Sequence, residues 1–222
     1  MDYIFNFPIV LRHWDKLAWG LLLSLELAAL SILIGAAIGL ALAVVHNDGP
    51  RWARTGVAAY VEFVRNVPLL LLIYLMFYGV PSIGGIAYDA STSFVITLSA
   101  YAAAQLVEVF RAGLDAVPKG VIDAGRAIGL TRWQRLLHVR LPVMFRVALP
   151  SLSNAFISLF KDTSLASVIA VPELTHAAQW INFNTFRILE VYAIVTPTYL
   201  IVGWILLAAL RRLEKRFVVA RR

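Results

Sequence analysis

The sequence predicts an all-α integral membrane protein with five transmembrane helices, and three observations support that prediction. Hydrophobic residues make up 60% of the 222 positions, charged residues only 15%, and the mean hydropathy is +0.78. A soluble domain of this size would need more polar groups to cover its surface. Five segments also reach the length of about 20 apolar residues that a bilayer-crossing helix needs. They span roughly 19–45, 57–79, 93–114, 147–170 and 191–210 of a single transmembrane domain, 1–222.

The first apolar segment, 19–45, is predicted to be a permanent helix. Its apolar core is too long for a cleaved signal peptide. The residues before it are not a net basic region, because Asp15 stands between Arg12 and Lys16 in a short polar stretch. We therefore count this segment among the transmembrane helices.

The distribution of Lys and Arg predicts how these helices are oriented. Fifteen lie between the first and second segments, between the third and fourth (with Arg111 at the end of the third) and after the fifth. Only three lie in the other connections and the first eighteen residues. Because cytoplasmic connections carry the excess of Lys and Arg, the N-terminus is predicted outside and the C-terminus in the cytoplasm. The net charge of +7 lies between apolar runs rather than along one solvated face, which argues against a nucleic-acid partner.

Two pairs of opposite charge lie at helical spacing inside the second and third segments. Glu62 and Arg65 precede Pro68, which removes a helical hydrogen bond and kinks the chain. Glu108 and Arg111 lie in the inner half of the third segment. Each pair is consistent with a structural salt bridge, and each is also consistent with a place on a translocation path.

The connection between the third and fourth segments, 117–142, is predicted to form two short helices. Gly129 can take the left-handed conformation that ends the first helix. Thr131 and Gln134 fit a capping box that begins the second, and Pro142 is expected to stop it. The helices mix apolar and basic side chains, so their apolar face needs a cover outside the bilayer. Either the pair lies on the membrane lipid with its arginines on phosphates, or it docks a soluble cytoplasmic protein.

The spacing in this connection resembles the EAA motif of ABC-transporter permease subunits. That motif has E-A-A, then G after three residues, then I-x-L-P after nine more. The chain has D-A-G at 123–125, G at 129 and V-R-L-P at 139–142, so that every interval is kept and three residue types differ. The resemblance implies an ATPase-coupling contact at Asp123, Ala124, Gly125, Gly129, Leu141 and Pro142.

Further stretches are similar to the polar amino-acid uptake branch of that family, with permeases of the histidine, glutamine and glutamate type. They are E-F-V-R-N-V-P-L at 62–69, E-V-F-R-A-G at 108–113, V-P-K-G at 117–120, K-D-T-S-L at 161–165 and E-L-T at 173–175. The resemblance covers about 20–212. It implies a multi-pass protein of the bacterial inner membrane that pairs with a second permease chain as a homo- or heterodimer. It also implies two ABC ATPase subunits, which bind ATP and Mg, and a periplasmic amino-acid-binding protein.

Lys161 and Asp162 stand near the middle of the fourth predicted segment, where an ionised side chain costs about 2.5–3.5 kcal/mol. As neighbours on a helix they point about 100° apart and do not form a good pair with each other. A free amino acid offers both a carboxylate and an ammonium group, which favours a substrate path here; a bundle-stabilising ion-pair network is the alternative. We assign Lys161, Asp162, Glu108 and Thr163 to the candidate substrate path, and Glu62, Arg65 and Arg111 to structural ion pairs.

Several functions are excluded or disfavoured by what the sequence lacks. It has no cysteine, no lysine follows a glycine as a P-loop requires, and the four histidines lack metal-ligand spacing. We therefore expect no enzyme and no cofactor on this chain, with ATP hydrolysis on a partner. The predicted function is the permease subunit of an ATP-driven importer that moves a polar amino acid from periplasm to cytoplasm. The alternatives are an ion-coupled secondary transporter working as an oligomer, with Glu108 or Asp162 as proton site, and a non-transporting scaffold.

Overall fold

The structure, a computed structural model, describes residues 3–86 and 88–217, and these residues form helices and no β-strand. The α-helices in chain order are α1 (Phe7–Leu11), α2 (Trp14–Asp48), α3 (Arg51–Asn66), α4 (Leu69–Tyr74), α5 (Val80–Gly84), α6 (Ala90–Asp115), α7 (Lys119–Ala127), α8 (Arg132–Arg135), α9 (Leu141–Asp162), α10 (Leu174–Thr185) and α11 (Ile188–Phe217). Two π-helical turns, Leu75–Gly79 and Leu136–Arg140, join α4 to α5 and α8 to α9. A 3-10 helix, Thr163–Ile169, follows α9.

Four helical stretches are long and apolar enough to cross a membrane, and a broken pair makes a fifth if it is one span. The four are Trp14–Asp48, Ala90–Asp115, Arg132–Ile169 and Ile188–Arg216, and the broken pair is Arg51–Asn66 with Leu69–Gly84. The prediction of an all-α protein with several membrane-crossing helices is therefore confirmed. The helices extend the predicted segments by a few residues, and α1 and α10 lie in stretches for which no helix was predicted.

The second predicted segment, 57–79, is not one kinked helix. Helix α3 ends at Asn66, and Val67 and Pro68 have extended ψ angles of 132° and 133°. A proline has no N–H to continue the ladder, and it disfavours the helical conformation of the residue before it. The chain therefore leaves the helix for two residues and begins a new one at Leu69.

The prediction that Pro142 stops a loop helix is wrong. The π-helical turn 136–140 leads directly into α9, of which Pro142 is the second residue. The π-helical turn changes the hydrogen-bond pattern just before the residue that has no N–H, so the helical stretch continues through the proline. The end of the fourth predicted segment also differs, because the α-helix gives way to the 3-10 helix after Asp162.

The described residues divide into two compact units. Unit 1 comprises 3–33, 68–86, 88–99 and 156–206, and unit 2 comprises 34–67, 100–155 and 207–217. In unit 1, α1, α10 and α11 surround a buried apolar cluster. Its members are Val10, Leu174, Ala178, Ile181, Val191 and Val195.

In unit 2, α6 packs closely against α2 and α9 at two glycines. A Cβ on Gly39 would lie 3.0 Å from the Ala103 carbonyl oxygen, and one on Gly113 would lie 2.8 Å from Cγ of Met144. Small residues at such contacts let helix backbones approach without a side chain between them. These contacts hold together the helices from which the connection 117–142 departs and to which it returns.

Candidate functional site

We call 117–142 the EAA-like loop, and its two helices end and begin as the residue types predict. Gly129 has a left-handed φ of +82°. The Leu130 N–H donates to the Gly125 carbonyl at 3.0 Å, and the Gly129 N–H to the Arg126 carbonyl at 3.0 Å. This pair of bonds is the Schellman arrangement, which ends a helix where a glycine takes the left-handed conformation.

The second helix of the loop begins at a complete capping box. The Thr131 N–H donates to Oε1 of Gln134 at 2.8 Å, and the Gln134 N–H donates to Oγ1 of Thr131 at 3.4 Å. Each bond satisfies a backbone donor that the first turn of a helix leaves free. The loop is thus a defined pair of helices rather than an irregular connection.

The EAA-like loop presents an apolar surface that the described residues of this chain leave uncovered. Ile128 is 77% exposed and Trp133 is 68% exposed, and Val121 and Leu137 are also exposed. Asp123 is exposed and pairs with Arg126, Oδ1 to Nη1, at 2.9 Å. Exposed apolar side chains on a rigid helix pair, bordered by charges, are typical of a docking surface.

The second candidate region lies where α9 ends. Lys161 is exposed, Asp162 is half-buried, and neither belongs to an ion pair within the part of the chain that the structure describes. Thr163 is buried, and its hydroxyl donates to the Phe160 carbonyl at 2.7 Å. This region therefore sets a cation and an anion at the change from α-helix to 3-10 helix, a change that often marks a functional site.

The two predicted ion pairs behave differently. Nη2 of Arg111 lies 2.8 Å from Oε2 of Glu108 in unit 2. The expected Glu62–Arg65 pair is not formed: Oε2 of Glu62 accepts from Nδ2 of Asn66 at 3.1 Å, and the same amide donates to the Glu62 carbonyl at 2.7 Å. The Asn66 amide therefore takes the place beside Glu62 that was expected for Arg65.

Sequence reasoning missed the partners of a fully buried carboxylate in unit 1. Glu173 precedes α10 and is 0% exposed. Its carboxylate accepts four hydrogen bonds, from the Thr175 and His176 N–H groups at 2.8 Å each, from the Tyr199 hydroxyl at 3.0 Å and from the Ser24 hydroxyl at 3.3 Å. The signal in the sequence was the E-L-T stretch, which gave no hint of partners 149 and 26 residues away.

The backbone beside Glu173 touches α2 directly. A Cβ on Gly20 would lie 2.9 Å from the Glu173 carbonyl carbon and from Cα of Leu174, so only glycine allows this approach. Burial raises the pKa of the Glu173 carboxyl to about 7, against the four hydrogen bonds, which lower it. Glu173 therefore anchors the start of α10 to α2 and α11. The stability of this contact depends on whether the Glu173 carboxyl is protonated.

Within residues 3–86 and 88–217, no three His, Asp or Glu side chains lie close enough together to hold a metal ion.

The sequence was compared with known protein families and proteins. The family described as "Binding-protein-dependent transport system inner membrane component" matches residues 18–219. The chain is 31% identical to the probable amino-acid ABC transporter permease protein YckA of Bacillus subtilis, over 97% of this chain and 95% of that protein. It is 33% identical to the glutamine transport system permease protein GlnP of Escherichia coli, over 90% of this chain and 92% of that protein. It is 34% identical to the arginine ABC transporter permease protein ArtQ of Haemophilus influenzae, over 88% of this chain and 90% of that protein.

The fold was compared with solved structures. The crystal structure of an amino acid ABC transporter with histidines superposes with a TM-score of 0.88 at 28% identity, over 96% of this chain and 100% of that chain. An inward-facing conformation of the MetNI methionine ABC transporter superposes with a TM-score of 0.80 at 21% identity, over 93% of this chain and 97% of that chain. The second likeness concerns the fold alone.

Proposed function

The chain belongs to the binding-protein-dependent transport system inner membrane component family of ABC-transporter permeases, and from this premise we propose how it works. It is the permease subunit of an ATP-driven importer that moves a polar amino acid from the periplasm to the cytoplasm. The observation that carries the proposal is the uncovered apolar surface of the EAA-like loop on two firmly capped helices. A surface of this kind outside the membrane suits a soluble partner.

The partner proposed for this surface is an ABC ATPase, which supplies ATP and Mg binding. Two ATPase subunits, a second permease chain and a periplasmic amino-acid-binding protein complete the transporter. In this arrangement the N-terminus is outside, and the EAA-like loop and C-terminus are in the cytoplasm. Closure of the ATPase pair would move the loop as a rigid body, and the contact would be made by the six EAA-motif residues Asp123, Ala124, Gly125, Gly129, Leu141 and Pro142.

The proposed substrate path includes Lys161, Asp162, Thr163 and Glu108. Lys161 and Asp162 are free of ion pairs within the described part of this chain, so both charges are available to a zwitterion. A carboxylate and an ammonium group would each meet an opposite charge, which lowers the cost of bringing them into a low-dielectric passage. Glu108 is already paired with Arg111, so its part in the path requires that the pair open.

The ATPase contact is tested by purifying the tagged chain in mild detergent. We expect an ATP-binding subunit to co-purify, and the doubly changed Asp123→Ala, Gly129→Ala chain to lose it while still folding. Asp115→Asn, a carboxylate change at the end of α6, is the matched control and should retain the subunit. A chain that purifies alone from cells expressing the complete transporter would contradict the docking proposal.

The substrate path is tested by uptake in proteoliposomes that contain the reconstituted transporter. We expect Lys161→Met and Asp162→Asn to lower uptake at limiting amino acid, whereas Lys215→Met, at an exposed position in the last turn of α11, leaves it unchanged. Unaltered dependence of uptake on amino-acid concentration in both path variants would contradict the assignment. Uptake that needs no ATP and collapses with an uncoupler would instead identify an ion-coupled secondary transporter.

A further inference from the structure

The last residue of α2, Asp48, is held by two arginines of the EAA-like loop. Oδ2 of Asp48 lies 2.6 Å from Nη1 of Arg140, and Oδ1 lies 3.8 Å from Nη2 of Arg132. Arg132 also donates to the backbone carbonyl of Asp48. The Asp48 side chain is 26% exposed and that of Arg140 is 14% exposed. This contact, which we call the Asp48 clamp, joins parts of the chain 84 and 92 residues apart.

The position of Asp48 explains why the contact needs cations. A carboxylate at the C-terminal end of a helix is opposed by the helix dipole, and the last carbonyls of the helix have no partner within it. Arg132 reaches such a carbonyl, and Arg140 neutralises the carboxylate. Two arginines of this unusually basic loop thus have a purpose within the chain, beyond the general excess of positive charge in cytoplasmic connections.

The two arginines stand at the two ends of one helical segment. Arg132 is the first residue of α8, and Arg140 is the last of the π-helical turn that leads into α9. Asp48 therefore holds segment 132–140 at both ends. A single ion pair would leave this segment free to pivot, whereas contacts at both ends fix its direction with respect to the end of α2.

Apolar packing beside the clamp is incomplete. A cavity of about 220 Å³ lies beside it, between the end of α2 and the loop, lined on the apolar side by Val44, Val45, Trp133 and Leu136. The Asp48 carboxylate also receives the only hydrogen bond that the Arg140 guanidinium makes within the described residues, since Nε of Arg140 is buried without a partner. The ion pairs therefore join the loop to α2 at a place where side-chain packing leaves a gap.

We propose that Asp48 is a positioning residue that makes the C-terminal end of α2 move together with the EAA-like loop. This inference rests on the proposed function, because it gives the loop's motion a defined route into α2. When the ATPase shifts the loop, Arg132 and Arg140 carry the end of α2 with it. Without the carboxylate, the loop follows the ATPase while α2 lags.

The test uses the complete transporter, with its ATPase, reconstituted into proteoliposomes, and measures ATP hydrolysis and amino-acid uptake in the same preparation. We expect Asp48→Asn to assemble and hydrolyse ATP but to lower the number of amino acids transported per ATP by about fivefold or more, the size of typical coupling between sites. Arg140→Gln should act in the same way, and Arg140→Lys should restore much of the ratio because it keeps the charge.

The matched control is Asp115→Asn, which makes the same chemical change at the end of α6. Asp115 accepts from Nδ2 of Asn47 at 3.2 Å, and an asparagine keeps that acceptor, so its ratio should equal that of the unmodified chain. An unchanged ratio in Asp48→Asn overturns the inference, and so does a proportional loss of hydrolysis and uptake, which indicates structural damage only. If the unmodified chain binds no ATPase, the proposed function fails first, and that outcome is read separately.

A second measurement follows the contact between α2 and the loop directly. The chain has no cysteine, so spin labels on cysteines introduced at Val45 and His138 report one distance, between the end of α2 and the loop. We expect that distance to stay constant between the ATP-free and ATP-bound transporter. In Asp48→Asn it should broaden or shift on ATP binding. A shift in the unmodified chain would overturn the inference.

Discussion

Glu173 and Asp48 each hold a distant segment against α2, Glu173 with uncharged donors and Asp48 with two arginines. Glu173 is fully buried in unit 1 and surrounds its carboxylate with two backbone N–H groups and two hydroxyls. Asp48 belongs to unit 2 and remains partly open to solvent beside a cavity. The first contact is rigid but sensitive to protonation, and the second is partly open to solvent and is screened by salt.

The different partners of the two carboxylates suit them to different roles, one in a static contact and one in a moving part. A buried carboxylate with four fixed donors has one good geometry, because any displacement leaves several polar groups without partners. An ion pair with two partly exposed arginines can stay formed while both partners move together, because long side chains and water follow the carboxylate. Glu173 thus serves as a static anchor, whereas the Asp48 clamp fits a part that moves.

The largest effect in this comparison is expected on replacing Glu173. Glu173→Ala leaves the partly buried Thr175 and His176 N–H groups without an acceptor, which should cost about 3–4 kcal/mol of stability. Thermal unfolding of the detergent-solubilised chain measures it. The control is Asp89→Ala, which removes an exposed helix cap where the Asp89 carboxylate accepts from the Thr92 N–H at 3.1 Å, and its effect should be smaller. Equal shifts in the two variants would show that burial adds nothing to the cap.

The second prediction concerns the proton on Glu173. Its pKa is raised from 4.5 to about 7 in the folded protein by burial. The folded state therefore binds the proton more tightly than the unfolded state, so that stability is fully present below pH 4.5 and falls as the pH rises to about 7. The loss should be about 3 kcal/mol relative to Glu173→Gln, which has no such proton to lose.

The measurement is a pair of unfolding curves across that pH range, for the unmodified chain and Glu173→Gln. Their difference should change between pH 4.5 and 7 and become constant above. Parallel curves would show that the carboxylate keeps the same charge in the folded and unfolded states, which contradicts a buried anchor.

Local patterns explain how much of the fold could be predicted. Helix α2 was predicted at 19–45 and is found at Trp14–Asp48, because apolar length alone identifies such a helix. The turn at Gly129 and the cap at Thr131 were predictable, because both depend on residues within one turn of helix. Each of these features is decided by neighbours in the sequence.

The features that the sequence did not predict depend on the backbone next to two prolines or on contacts between residues far apart in the chain. Pro142 suggested a helix end, but a π-helical turn before it lets the helix continue. Pro68 suggested a kink, but the helix is interrupted there for two residues. The partners of Glu173 and Asp48 are far away in the sequence, so that spacing could not reveal either contact. The excess of Lys and Arg in the EAA-like loop is evident from the sequence, but the partner Asp48 is not.

The third prediction separates the two anchors by salt. Asp48→Asn should cost about 2 kcal/mol at low salt, because it removes a hydrogen bond between charged groups. Raising the salt from about 0.1 M to about 1 M shortens the screening length from about 10 Å to about 3 Å, so the cost should shrink. The corresponding cost of Glu173→Gln should not change, since its donors carry no charge. Equal salt dependence in both variants would remove the distinction between the anchors.

The smallest effect is expected at the cap beside the clamp. Thr131→Ala removes the hydroxyl that accepts from the Gln134 N–H, which should cost about 0.5–1 kcal/mol locally. Amide hydrogen exchange at Gln134 measures it, because local opening of α8 exposes that N–H without unfolding the chain. Thr131→Ser keeps the oxygen and should exchange like the unmodified protein. If Asp48→Asn speeds exchange at Gln134 more than Thr131→Ala does, the clamp rather than the cap holds α8 in place, and the segment that Arg132 begins depends on α2 for its order.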